Sequence, residues 1–192
     1  MTDNQKHQSD PTINDGLKAP GDIDAIYIPE DAGDYAEALK KIMLKIPAGW
    51  GRWISCGKGW YPLIIQLDQK LEDLVPGYEV NQVKEKFGTL RYYFEIPQED
   101  DPYTQQNPTP ELEDDHAWAK WQVGQQTWAD SEAGKAYFRS REELQKATNE
   151  LVAQAELESA KTCESCGADG TLIRSGGWLK TLCETCNQKG AR

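Results

Sequence analysis

Apolar and polar positions alternate along this chain with periods that switch between helix and strand. Tyr35, Leu39, Ile42, Met43 and Ile46 fall at helical spacing and predict one buried stripe. Pro47 and Gly49 end that helix. The next stretch, GWGRWISCGKGWYP, crowds glycine and tryptophan together and predicts a turn covered by aromatic rings. Pro62 suits the first turn of a second helix, whose stripe is Leu63, Ile64, Leu67, Leu71 and Leu74. In YEVNQVKEKFGTLRYYFEI the period shortens to two, which predicts a β-hairpin turning at Gly88. Leu90, Tyr92, Phe94 and Ile96 then face the core, and Arg91, Tyr93 and Glu95 face out.

Beyond the hairpin the pattern loosens. Residues 97–116 read as an acidic, proline-bearing loop. Trp118, Trp121 and Trp128 lie on a short predicted helix. Residues 131–160 have strongly helical composition, with a narrow stripe of Leu144, Leu151, Val152 and Ala155. The chain thus divides into a disordered acidic tail (1–34), with one short docking strand at 26–28, and a helix–helix–hairpin core (35–97). An acidic, tryptophan-containing insertion (98–130), a helix (131–161) and a C-terminal module (162–192) follow. The expected class is α+β, a small helix and β-hairpin core with one long helix.

The C-terminal module carries the strongest chemical signal. Cys163 and Cys166 form one Cys-x-x-Cys pair, and Cys183 and Cys186 form another. Two such turns can aim four thiolates at one point, the donor set and geometry that zinc prefers. The intervening GADGTLIRSGGWLKTL can form two short strands turning at residues 175–177, the layout of a zinc ribbon or a treble clef. Four cysteines fill a tetrahedron and leave no open position, so the metal reads as structural and not catalytic. Cys56 stands apart, beside Lys58, and reads as a buried inert thiol.

Composition restricts the partners. Net charge is -11, unevenly spread. Residues 1–35 carry two basic and eight acidic side chains, and residues 96–160 carry five and fourteen. Residues 36–95 carry nine and seven, and 161–192 carry five and three, so both are slightly positive. Bulk charge therefore does not drive nucleic-acid binding, although a local basic face can. No run approaches the roughly 20 apolar residues of a membrane span, and the first residues lack a secretory pattern. The expected compartment is the cytoplasm.

Two blocks carry a family resemblance. GKGWYPLIIQLDQKLEDL with QVKEKFGTLRYYFE, and SAKTCESCGADGTLIRSGGWLKTLCETC, together resemble a widespread group of small proteins of bacteria, prophages and phages. The resemblance covers about half the chain. It implies a mobile-element accessory protein and supplies no reaction.

On the hairpin, Lys84 and Lys86 share a strand face. With Arg91 and Tyr93 opposite, three cations and a ring would form a patch for a nucleic acid or nucleotide-like anion. Trp53, Trp60 and Tyr61 read as core that can flank it. The expected function is a non-enzymatic, zinc-containing binding module using this face. An acidic factor that modulates a host protein is the alternative, and a small nuclease or nucleotide hydrolase is the third.

Overall fold

The computed structural model describes residues 22–98, 100–175 and 177–190. Most of the predicted tail, up to residue 21, lies outside the described residues. From there the elements run β1 (Ile26–Tyr27), α1 (Ala36–Leu44), β2 (Arg52–Ser55), α2 (Tyr61–Leu74), β3 (Glu79–Lys86) and β4 (Thr89–Glu95). Then follow α3 (Pro102–Gln106), α4 (Asp115–Asp130), α5 (Glu132–Ser159), β5 (Thr171–Ser175), β6 (Trp178–Leu182) and α6 (Glu184–Gly190). The class is α+β. Among the described residues no helix is long and apolar enough to cross a membrane.

The core is larger than two helices on a hairpin. The sheet has four strands in the order β1-β2-β3-β4, with β1 and β3 both parallel to β2 and β4 antiparallel to β3. The glycine- and tryptophan-rich stretch, read as a turn, holds β2, because Trp53, Ile54 and Ser55 alternate between the two faces of this sheet. Residues 22–34 are likewise drawn in: β1 pairs with β2, and Ala32 is buried in the core.

One face of the sheet presents Ile54, Val80, Val83, Leu90 and Tyr92, all buried. Against it pack Leu39, Ile42 and Met43 of α1 and Ile64, Leu67 and Leu71 of α2. A polar cluster borders this core, where Asp68 accepts hydrogen bonds from Tyr78 and Lys45, both at 2.6 Å. Lys45 also reaches Glu72 at 2.8 Å, and that hydrogen bond holds the Glu72 carboxyl below the usual range.

α5 lies against α2 and β4, with Leu144, Leu151, Val152 and Ala155 packed on the core. Its last turn also seals the sheet. β4 is an edge strand, and the outward Leu90 N–H donates to Ser159 Oγ at 2.8 Å. An edge amide buried without a partner would be costly. Ser159→Ala should therefore cost about 1–3 kcal/mol. Urea unfolding reads the loss, and amide exchange should localise it to Leu90.

The stretch read as a loop contains α3, capped by Asp101, which accepts from the Tyr103 and Thr104 amides. Tyr103 meets Trp121 edge-on and lies tilted against Trp128, and Trp128 meets Tyr137 and Phe138 at 5.7 Å. These rings join α3, α4 and the start of α5 into a helical arm with its own aromatic cluster.

Candidate metal centre and hairpin face

Cys163 and Cys166 sit in a tight turn after α5. Cys163 N–H donates to the Ala168 carbonyl at 2.7 Å, and Gly167 N–H returns to the Cys163 carbonyl at 2.8 Å. Gly167 has φ +78°, a conformation open mainly to glycine. The β5–β6 hairpin then carries the chain back, so that Cys183 follows β6 and Cys186 lies in the first turn of α6. The four sulfur atoms lie within 4.8 Å of one another and can hold one metal ion. Cys166 Sγ and Cys183 Sγ are 3.7 Å apart, far beyond the roughly 2.05 Å of a disulfide bond. None of the cysteines is in a disulfide.

Burial and hydrogen bonding shift two of the four thiols in opposite directions. Burial opposes ionisation of Cys163, but hydrogen bonds from the backbone of Cys183, Cys166 and Ser165 outweigh it and bring this thiol down to about 7. Cys186 moves the other way, to about 12, because hydrogen bonds to the Cys166 and Cys183 sulfurs favour its protonated form. A divalent ion binding to such a cluster displaces the thiol protons.

The module is docked on the core. Glu164, between the first two cysteines, is the pivot. Its carbonyl accepts from Gly59 N–H at 2.7 Å, and its side chain accepts from Gly57 N–H at 3.0 Å. Its own N–H donates to the Thr181 carbonyl at 2.9 Å, tying the turn to β6. Trp60 is fully buried, and its indole N–H donates to the Thr162 carbonyl at 2.7 Å. On the other side, buried Thr181 donates its hydroxyl to the Gly88 carbonyl at 2.6 Å. The four-cysteine module thus bridges the Gly57–Trp60 segment and the tip of the β3–β4 hairpin.

Sequence reading assigned none of these docking roles. The available signal was Gly-Lys-Gly-Trp, two glycines beside a tryptophan, which fits a close backbone approach as well as a turn. Cys56 is half-buried against the core. Burial first, then the charges of Glu164, Asp31 and Glu85, push its thiol well above the ordinary range. Lys58 does not activate it.

On the hairpin, Lys84 is directly opposite Arg91, and Gln82 is opposite Tyr93. Lys84 Nζ lies 5.4 Å from the Tyr93 ring centre, and Lys86 Nζ lies 5.4 Å from the ring of Phe87. Lys84, Arg91 and Tyr93 therefore meet, while Lys86 sits opposite Thr89 at the hairpin tip. Arg91 is not a free cation: it lies 3.5 Å from Glu156 of α5 and donates to Thr89 Oγ1 and the Leu90 carbonyl. Trp60 and Tyr61 are core, and Trp53 is half-buried. Phe87 was not singled out. It has φ 57°, rare for a bulky residue, and is 65% exposed. No protein-family model, curated protein or solved structure matches this chain.

Proposed function

We propose that this chain is a non-enzymatic, zinc-containing accessory protein that binds nucleic acid or a similar polyanion through the β3–β4 hairpin face. The observation that carries the reading is the register that brings Lys84 beside Arg91 with its ammonium group over Tyr93.

Zinc is favoured by the donor set. Four sulfurs bound at about 2.3 Å in a tetrahedron stand about 3.8 Å apart, against 3.7 Å between Cys166 and Cys183. Four thiolates complete the shell, which supports a structural ion. Placement of Cys186 on α6 favours the treble-clef layout over the ribbon. Resemblance to phage and prophage proteins supports an accessory role in a mobile element.

Lys84→Glu combined with Lys86→Glu tests the face without touching Arg91, whose contacts are structural. The double variant should melt like the wild type and elute from a polyanion column at markedly lower salt. Identical elution would end this reading.

A second reading is a protein-interaction factor acting through the acidic arm. It is supported by Leu112, Val123 and Phe138, which are 86%, 68% and 49% exposed there. Pull-down from host lysate with and without residues 100–130 separates the two readings.

A further inference from the structure

The open face of the sheet is ordered into rows. Residues paired across strands share a face, and side chains two apart along a strand share it too. Tyr27 pairs with Trp53, Ser55 with Lys84, Lys84 with Arg91, and Gln82 with Tyr93. One row across the four strands is therefore Tyr27, Trp53, Gln82 and Tyr93. The neighbouring row is Ser55, Lys84 and Arg91, and Lys86 with Thr89 follows it. None of these side chains is buried, and Gln82, Lys86 and Tyr93 are exposed.

An aromatic row beside a cationic row is more than an anion needs. Positive charge is scarce here, since Glu156 engages Arg91 and the paired Glu79 and Glu95 place two carboxylates at the far end of the same face. Two lysines remain. Rings, by contrast, are plentiful. Adjacent strands stand about 4.8 Å apart, so Trp53 and Tyr93, two strands apart, are separated by about 10 Å, with the Gln82 amide between them. That amide can both donate to and accept from a base edge. Lys84 Nζ, 5.4 Å from the Tyr93 ring, sits where a phosphate next to a stacked base would lie.

An independent feature agrees. Phe87 and Gly88, with φ 57° and 80°, form the centre of a two-residue hairpin turn that favours asparagine and glycine. A phenylalanine held there against its backbone preference, exposed and beside Lys86, gives the face another ring at its tip.

We propose that this face binds single-stranded nucleic acid, with bases stacked on Trp53 and Tyr93 and phosphates held by Lys84 and Lys86. The proposal rests on the hairpin-face reading above and names its ligand. Bases within a duplex are stacked on each other and are not available to a flat aromatic sheet, so a single strand is required. With two phosphate contacts the salt dependence is shallow, a slope of about -1.4 in log affinity against log salt.

The test uses the metal-loaded full chain and a labelled oligothymidylate, with a duplex of equal length and inorganic polyphosphate as competitors. The single strand should bind with the shallow salt slope, and both competitors should displace it poorly. Tyr93→Ala should weaken binding about tenfold. Tyr93→Phe, which keeps the ring, should restore it, an outcome that lost folding would not produce. If polyphosphate competes as well as the oligonucleotide and Tyr93→Ala changes nothing, stacking is overturned while the hairpin-face reading stands. A preference for duplex also overturns it. If neither polyanion binds, both readings fall.

Discussion

Serine in place of Cys183 is expected to release the metal and unfold residues 161–190. This module buries little apolar surface: Cys163, Thr181 and Leu182 are buried, while Leu172 and Trp178 are more than half exposed. So small a core does not stabilise a module of this size unaided. Structural zinc in modules of this type contributes about 10–16 kcal/mol at neutral pH, and most of that is lost with a ligand. The consequence extends beyond the module. Glu164 and Thr162 release the Gly57–Trp60 segment, and Thr181 releases the Gly88 carbonyl. Purified protein should hold one zinc per chain. Hydrogen exchange after chelation, or in Cys183→Ser, should accelerate across residues 161–190 and at the Gly57 and Gly59 amides, leaving α2 protected. Acid should release the metal, because protons compete for the thiolates. Protein that carries no stoichiometric metal yet protects these amides would refute the account.

Gly59→Ala should strongly destabilise the docking of the cysteine module. A Cβ at this position would lie 2.1 Å from the Cys163 carbonyl oxygen, 2.5 Å from Gly167 N and 2.7 Å from the Glu164 carbonyl oxygen. All three are backbone atoms, so no side chain can swing aside. Either the Gly57–Trp60 segment or the first cysteine turn must retreat, and the Gly59 N–H to Glu164 hydrogen bond goes with it. Overpacking together with a lost buried hydrogen bond gives a cost of about 3 kcal/mol or more. Gly77→Ala is the control. Gly77 has φ +78° but open space where a Cβ would go, so the cost is conformational, about 1 kcal/mol. Urea denaturation compares the two. Gly59→Ala within 1 kcal/mol of wild type would mean that the module is not held by this contact. Metal affinity should also fall in Gly59→Ala, since its obstacles include the backbone of Cys163.

Elements with local causes were readable in advance. Leu39, Ile42 and Met43, and Ile64, Leu67 and Leu71, are spaced so that a helix must put them on one side, and both helices bury them. Leu90 and Tyr92 alternate with Arg91 and Tyr93, and the hairpin sorts them in that way. Two Cys-x-x-Cys turns bring four sulfurs together once the spacer forms a hairpin. β2 was hidden because its partners are distant: β1 pairs with it from 26 residues upstream and β3 from 29 residues downstream. Its glycine surroundings suit turns as well as strands. α3 was hidden in an acidic stretch whose helix depends on a cap at Asp101 and the rings of α4.

By itself the sequence determined the α+β character, the two core helices, the hairpin with its inward and outward faces, and the thiolate donor set, because periodicity and spacing act within short stretches of chain. Tertiary structure alone decided that the hairpin belongs to a four-stranded sheet, that Ser159 seals its edge, that Glu156 occupies Arg91, and that Gly59 must be glycine. Each depends on atoms brought together from far apart in the chain: about 100 residues separate Gly59 from Glu164. A backbone contact over that distance leaves no periodic trace, only a glycine whose reason lies elsewhere.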